Sequence, residues 1–407
     1  MLKRIFAFHP AISFFVFLTM LSHAFLAQTG TVNSGSTEMT PVVEAMCGKR
    51  VALLGESPTH GFGKTFAYKA ELVRRLVEEC HYNALFVESG VYDFLHIDQQ
   101  IRSGQPATEE MVSAAIGGLW ANKEVHSLIP FLTQKVREGT LSLGGMDDQS
   151  GRGSWAVHGL DNQMIPYLAE ADKANCRSIL QRHLLWKYTE DAPYSQADKA
   201  SLLGCFDRIE SGIASQEKNA NPTTEEDLIM VRSLRRNISR DFTLDNSRND
   251  SGAAALWNNA RDLSMAENFR WLYKQLPANS KVIVWAATVH LAKENIPTNS
   301  RTPLGYYIRQ QFGEASYALG FTALSGQYAL GPNPAKPLSD APPESLEARV
   351  FTGNRQQTVF LNRDELKRLG VIPGRVLGTA FQSAHWDELF DGLVVIREER
   401  VPEFLGK

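Results

Sequence analysis

The sequence predicts an α/β fold, with a mostly parallel central sheet, helices on both faces and a large helical insertion or lid. Two patterns carry this expectation. Short continuous apolar runs alternate with helical stretches, as strands buried on both faces do. Between about residues 155 and 275 the apolar runs stop and only helical spacing remains.

The chain starts differently from the rest. Lys3 and Arg4 precede an apolar stretch from about Ile12 to Leu21, and Ser22, Ala24 and Ala27 follow. A charged segment, a short apolar segment and small residues make a signal peptide over 1–27, too short and too interrupted for a stable span. The mature chain is therefore expected to be periplasmic or secreted, with no membrane contact after cleavage. Residues 28–42, rich in Thr, Gly and Ser, read as a linker ahead of a domain over 43–407. That domain is long enough to bury a sizeable core, since 43% of the 407 residues are hydrophobic and 21% charged. Net charge is -3, so there is no basic surplus for nucleic acid.

Export gives the cysteines meaning. Cys47, Cys80, Cys176 and Cys205 form an even set for an oxidising compartment. Cys47 and Cys80 each precede an apolar run, and neighbouring parallel strands would bring them together. Cys176 and Cys205 lie in successive helical segments that suit a hairpin. The expected pairs are Cys47–Cys80 and Cys176–Cys205. A zinc site is the rival, but no C-x-x-C spacing is present.

The strands are expected at Val51–Leu54, Ala84–Val87, Leu141–Met146, Val282–Ala286, Tyr317–Phe321 and Leu393–Ile396, with a helix over 64–79. In the insertion, Thr223 and Glu226 have capping-box spacing ahead of Leu228, Val231, Leu234 and Ile238. In an open α/β sheet, ligands bind beyond the carboxyl ends of the strands. Four runs here end in ionisable groups: Glu56 with His60 four residues on, Glu88, Asp147, and His290. One such acid is commonly a loop or capping residue. Gathered together, they suit acid–base work, because a histidine can take a proton from water while a carboxylate orients it.

Lys69 shares the apolar face of the 64–79 helix with Leu72, Val73 and Leu76. It either snorkels to water or pairs with Glu56 or Glu88 in the pocket. Gly61-Phe62-Gly63-Lys64-Thr65 mimics a phosphate-binding loop, but Pro58 occupies the position of the required first glycine. No G-x-S-x-G elbow is present, so Ser57 lacks the setting of a serine nucleophile. The acids and histidines would also suit a divalent ion, although H-E-x-x-H and H-x-H are missing. Trp120, Trp155, Phe242 and Trp257 either line an apolar pocket or pack the core.

At these residues the sequence resembles the erythromycin esterase family, over about 45 to 396. The likeness runs through Leu54-Gly55-Glu56 to Thr59-His60-Gly61 with Lys69, then Phe86-Val87-Glu88, Trp120 with Glu124-Val125, and Gly145-Met146-Asp147-Asp148-Gln149. It continues through Arg261-Asp262, Met265-Ala266-Glu267-Asn268, Val284-Trp285-Ala286 to His290, Ala318-Leu319-Gly320-Phe321 and Phe390-Asp391-Gly392-Leu393-Val394. The resemblance implies hydrolysis of a small-molecule ester or lactone by a histidine-activated water. It implies no required cofactor or metal and no covalent intermediate. His60 would be the general base, Glu56 and Glu88 its supports, and His290 the group that polarises or protonates the ester. Lys69, Asp147 and Arg261 would fall at substrate-binding positions.

The sequence departs from the family pattern twice. Ser57, Pro58 and Thr59 separate Glu56 from His60 where the family usually has two residues. Ala287 stands where the second motif usually carries its first histidine. The second departure favours the rival reading of a non-catalytic ligand-binding protein on the same scaffold, and a metal-dependent hydrolase is a further alternative.

Overall fold

A strand with an acid at its tip needs that charge met there, and the strands that end near Glu56, Glu88 and Asp147 each carry one. The computed structural model describes residues 34–151, 153–216, 222–240, 251–296, 300–331 and 333–406. The expected signal peptide and Phe242 lie outside them. Helix α1 (Ser34–Cys47) leads into β1 (Val51–Glu56), α2 (Gly63–Cys80) and β2 (Ala84–Gly90). Helices α3 (Val91–Arg102), α4 (Glu109–Ile116), α5 (Lys123–His126) and α6 (Ile129–Arg137) precede β3 (Ser142–Asp147). Among the described residues, five α-helices follow without a strand: α7 (Ala156–Met164), α8 (Glu170–Leu184), α9 (Gln196–Gln216), α10 (Pro222–Ser239) and α11 (Ser251–Gln275).

The chain then returns to the sheet. Strand β4 (Val282–Ala287) is followed by α12 (Thr288–Leu291), α13 (Leu304–Phe312) and the long β5 (Ser316–Tyr328). The last part holds β6 (Lys336–Pro337), α14 (Leu346–Phe351), β7 (Thr358–Asn362), α15 (Arg363–Leu369), β8 (Val371–Gly374), β9 (Gln382–His385), α16 (Trp386–Leu389) and β10 (Gly392–Glu399). Among the described residues no helix is long and apolar enough to cross a membrane.

The sheet runs in the order β3-β2-β4-β1-β5-β10-β7, with β6 on β5. β7 and β6 pair antiparallel, and the other pairs are parallel. Every residue of β1 and β4 is buried, because apolar layers cover both faces. Val51, Leu53, Phe86, Val284 and Phe269 pack one layer. Ala52, Leu54, Phe66, Leu72 and Ile283 pack the other. The insertion rests on the first layer, with α11 against β3 and α10 against α3.

Three expectations need correction. The linker over 28–42 is helical from Ser34 on, because Met39, Val42, Val43 and Met46 form a buried stripe that outweighs the polar composition. The insertion helix starts on Pro222, ahead of Thr223, so Thr223 lies inside the helix, and Glu226 accepts from Arg102 of α3. Both disulfides form as paired in the sequence, Cys47–Cys80 and Cys176–Cys205. The first has a different cause, since β4 lies between β1 and β2. Its cysteines end α1 and α2, and Lys281 Nζ donates to both terminal carbonyls, at 2.5 Å from Cys47 and 2.6 Å from Cys80. A cation there satisfies two helix ends at once.

The Cys176–Cys205 bond joins α8 to α9 across a separation of 29 residues. The chain-entropy relation for a loop of that length gives about 3–4 kcal/mol. Replacing both cysteines by alanine should lower unfolding stability by that order in urea titration. A loss under about 1 kcal/mol would show that the α8–α9 hairpin is held by packing alone.

Candidate active site

The four strand tips lie side by side because β3, β2, β4 and β1 are consecutive neighbours. In that order they present Asp147, Glu88, the short helix α12 with His290, and Glu56 with His60. All five side chains are buried. The structure therefore brings the four proposed catalytic residues to one edge of the sheet.

Glu56 is held by four donors. Its Oε1 accepts from His60 Nδ1 at 3.1 Å, Trp120 Nε1 at 2.9 Å and Trp285 Nε1 at 3.3 Å. Its Oε2 is in contact with Lys69 Nζ, which also lies 4.2 Å from the centre of the Trp285 ring. Lys69 is fully buried. Burial pulls its ammonium well below the ordinary lysine pKa, and the charge of Glu88 opposes that. Lys69, expected at a substrate-binding position, lies buried against Glu56.

The extra residue between Glu56 and His60 is absorbed by a turn. His60 N–H donates to Ser57 O at 2.9 Å, and His60 takes φ of 48°, an uncommon left-handed conformation for a non-glycine residue. That turn points the imidazole back at Glu56. The next residue must be glycine, since a Cβ on Gly61 would lie 1.6 Å from the carbonyl oxygen of Ala329. The His60 ring also packs edge-on to Trp120, with centres 5.0 Å apart. Burial lowers the His60 pKa below 6.5, Glu88 raises it and Arg261 lowers it further. His60 is then neutral at neutral pH. With Nδ1–H given to Glu56, its Nε2 carries the lone pair, and no described residue hydrogen-bonds to that atom.

Glu88 is aimed by a bulge. The β2–β3 register shifts between Val87 and Gly90, turning Glu88 out of the ladder. Gly145 makes room for this, because a Cβ there would lie 2.3 Å from the Gly90 carbonyl oxygen. Glu88 Oε2 accepts the Ala287 backbone N–H at 2.8 Å, and Oε1 accepts from Arg261 Nη2 at 3.0 Å and lies 3.0 Å from His290 Nε2. Burial alone would raise its pKa. The charges of His290, Arg261 and His60, with the His290 hydrogen bond, hold it well below the usual carboxylate range.

Asp147 binds Arg261 through both oxygens, at 2.5 and 3.3 Å, and takes the Gln149 N–H at 3.2 Å. Arg261 from α11 thus ties Asp147, Glu88 and His290 together, reaching His290 Nε2 at 3.0 Å. It keeps 13% side-chain exposure, more than Glu88 or Asp147. Sequence reasoning assigned no role to Asp262 and did not single out Arg301. Asp262 Oδ1 lies 2.7 Å from His290 Nδ1, and Arg301 Nε donates to Asp262 Oδ2 at 2.9 Å. Asp262 was visible only as a neighbour of Arg261, and Arg301 sits in a loop with no periodic signal.

The phosphate-loop mimic is filled by the chain itself. The N–H groups of Lys64 and Thr65 donate to the Glu399 carboxylate at 2.9 and 2.8 Å, as does the Thr65 hydroxyl at 2.6 Å. An anion at that helix start is expected, and Glu399 supplies it. Among the described residues no three His, Cys, Asp or Glu side chains are grouped to hold a metal. Glu56 meets Lys69, and Glu88 and Asp147 meet Arg261, so basic side chains already neutralise these acids. Trp120 packs into the site. Trp155 stacks on His96 at 3.9 Å, and Trp257 lies under Arg240.

The family model for erythromycin esterase matches residues 77–398. The chain belongs to the erythromycin esterase family. Membership places it among the enzymes that hydrolyse ester bonds. The match takes in Glu88, Asp147, Arg261 and His290 and begins after Glu56, His60 and Lys69. YbfO of Bacillus subtilis (strain 168), whose name assigns it provisionally to the hydrolases, is 23% identical, over 79% of this chain and 76% of YbfO. Two solved structures share the fold. A Bacillus cereus protein has a TM-score of 0.68 at 17% identity, covering 92% of this chain and 94% of its own. The erythromycin esterase EreC, a mutant in its open conformation, has a TM-score of 0.63 at 18% identity, covering 89% and 93%.

Removing one partner of a buried ion pair typically costs about 3–5 kcal/mol. Lys69→Met should lower unfolding stability by that order, read by urea denaturation at neutral pH. The loss should shrink as the pH falls and the stranded Glu56 takes a proton. Wild-type stability in Lys69→Met would contradict the pairing.

Proposed function

We propose that this family member hydrolyses a carboxylic ester or lactone of a small molecule, with His60 activating water and no covalent intermediate. One observation carries the reading. Burial holds the His60 pKa below 6.5, its Nδ1 is occupied by Glu56, and its Nε2 has no hydrogen-bond partner among the described residues. A water on Nε2 would lose a proton to it as its oxygen attacks the ester carbonyl. Glu56 stabilises the imidazolium that forms, through Nδ1–H and without accepting the proton itself.

Negative charge then grows on the carbonyl oxygen. Arg261 and His290, fixed by Glu88, Asp147 and Asp262, supply donors and positive charge at that side of the edge. Direct attack by water fits the absence of a serine elbow, and the Ser57 hydroxyl lies 3.1 Å from Thr59 Oγ1 in a local contact. Ala287, which replaces a histidine of the family pattern, contributes its backbone N–H to Glu88. Glu88 is therefore held without that imidazole. Action outside the reducing cytoplasm is part of the proposal, supported by the two disulfides.

His60→Ala should lower kcat/KM on a panel of p-nitrophenyl esters and lactones by about 10²- to 10⁴-fold, the usual worth of a general base. Unchanged turnover would overturn the assignment. The pH profile gives a second check with a defined sign. The neutral imidazole of His60 is the active form of the base, so kcat/KM should rise with pH on the acid side of the profile. Because the His60 pKa is held below 6.5, the rising limb should be centred below pH 6.5. A limb centred above 6.5 would contradict the buried base.

A further inference from the structure

His290 meets charged partners of both signs at each ring nitrogen. Nδ1 lies 2.7 Å from Asp262 Oδ1 and 2.8 Å from Arg301 Nη2. Nε2 lies 3.0 Å from Glu88 Oε1 and 3.0 Å from Arg261 Nη1, with Arg301 Nη2 at 3.3 Å. A guanidinium only donates and a carboxylate only accepts. A protonated ring nitrogen can therefore bond only its acid, and a bare one only its arginine.

Each proton state of the ring is satisfied in turn. Nδ1–H donates to Asp262 while Nε2 accepts from Arg261. Alternatively, Nε2–H donates to Glu88 while Nδ1 accepts from Arg301. In the cation both nitrogens donate to the two acids. No state leaves a ring nitrogen without a partner, which is what a buried group that must lose and regain a proton requires. The choice between states falls to the Nδ1 side, whose members are fixed from elsewhere. Asp262 Oδ1 takes the Leu304 N–H at 3.0 Å at the start of α13, and Oδ2 takes Arg301 Nε at 2.9 Å. Arg261 and Asp262 are consecutive on α11, about 100° apart around the helix, so one reaches Nε2 and the other Nδ1.

We infer that Asp262 and Arg301 are positioning residues that set the proton state of His290, letting it give a proton from Nε2 and recover it. This rests on the role proposed above for His290. In the reaction His60 takes one proton from the attacking water, and His290 Nε2–H gives one to the leaving alkoxide as the carbon–oxygen bond breaks. His290 ends neutral with Nδ1–H on Asp262 and Nε2 accepting from Arg261. Exchange with solvent returns the proton from His60 to His290, so ester and water become acid and alcohol with no other reactant.

The test uses the full-length chain with ¹⁵N-labelled histidine, wild type against Asp262→Asn and Arg301→Gln. Asp262→Asn should move the His290 ring toward the Nε2–H tautomer, seen as a loss of protonated character in the Nδ1 shift. It should also lower kcat by about 10²-fold or more with little change in KM. Arg301→Gln, which keeps Asp262, removes the arginine that donates to a bare Nδ1 among the described residues. It should increase the protonated character of the Nδ1 shift, because the Nε2–H state then leaves Nδ1 without its donor. Wild-type ring shifts in both variants would overturn the inference. His290→Ala tests the underlying role separately. If that variant turns over normally while Asp262→Asn still moves the ring shifts, the positioning stands and the catalytic use of His290 falls.

Discussion

An isolated carboxylate in a dry protein interior costs several kcal/mol, and this sheet carries acids at the tips of β1, β2 and β3. Meeting those charges is the constraint on which the rest of the architecture depends. Glu56 recruits Lys69 from the apolar face of α2, indole N–H groups from Trp120 and Trp285, and the imidazole of His60. Glu88 and Asp147 share Arg261, which ties the helical insertion to the edge of the sheet. Basic residues on helices and acids on strands therefore lock the layers together at the place where chemistry is proposed.

The same neutralisation fixes the two histidines in different ways. His60 has one acid on Nδ1 and burial around the rest, which favours a neutral ring with a free lone pair. His290 has an acid and an arginine at both nitrogens, which favours a ring able to change state. Pairs of titratable groups whose surroundings push them apart are how one site keeps a base and an acid at the same pH.

Much of this was legible in the residues. The strands β1, β2, β3, β4, β5 and β10 announce themselves as apolar runs, because both faces of the sheet are covered. Glu56, Glu88 and Asp147 are readable because each closes such a run. The antiparallel β7 and the hairpin of β8 and β9 are half-exposed and carry no continuous apolar signal, so composition hides them. The strand order was equally hidden. Nothing local says that β4, distant in sequence, slots between β1 and β2 and carries His290 to the other three tips. Asp262 and Arg301 depend on that slotting, which is why their roles emerge only from the three-dimensional arrangement.

The account depends most on one imidazole whose hydrogen sits on the nitrogen facing Glu56. Neutron diffraction from a perdeuterated crystal near neutral pD would locate that hydrogen directly. The account predicts deuterium on His60 Nδ1, none on Nε2, and a water oriented toward Nε2. Deuterium on Nε2, or on both nitrogens, would contradict it and remove the base from the proposed reaction.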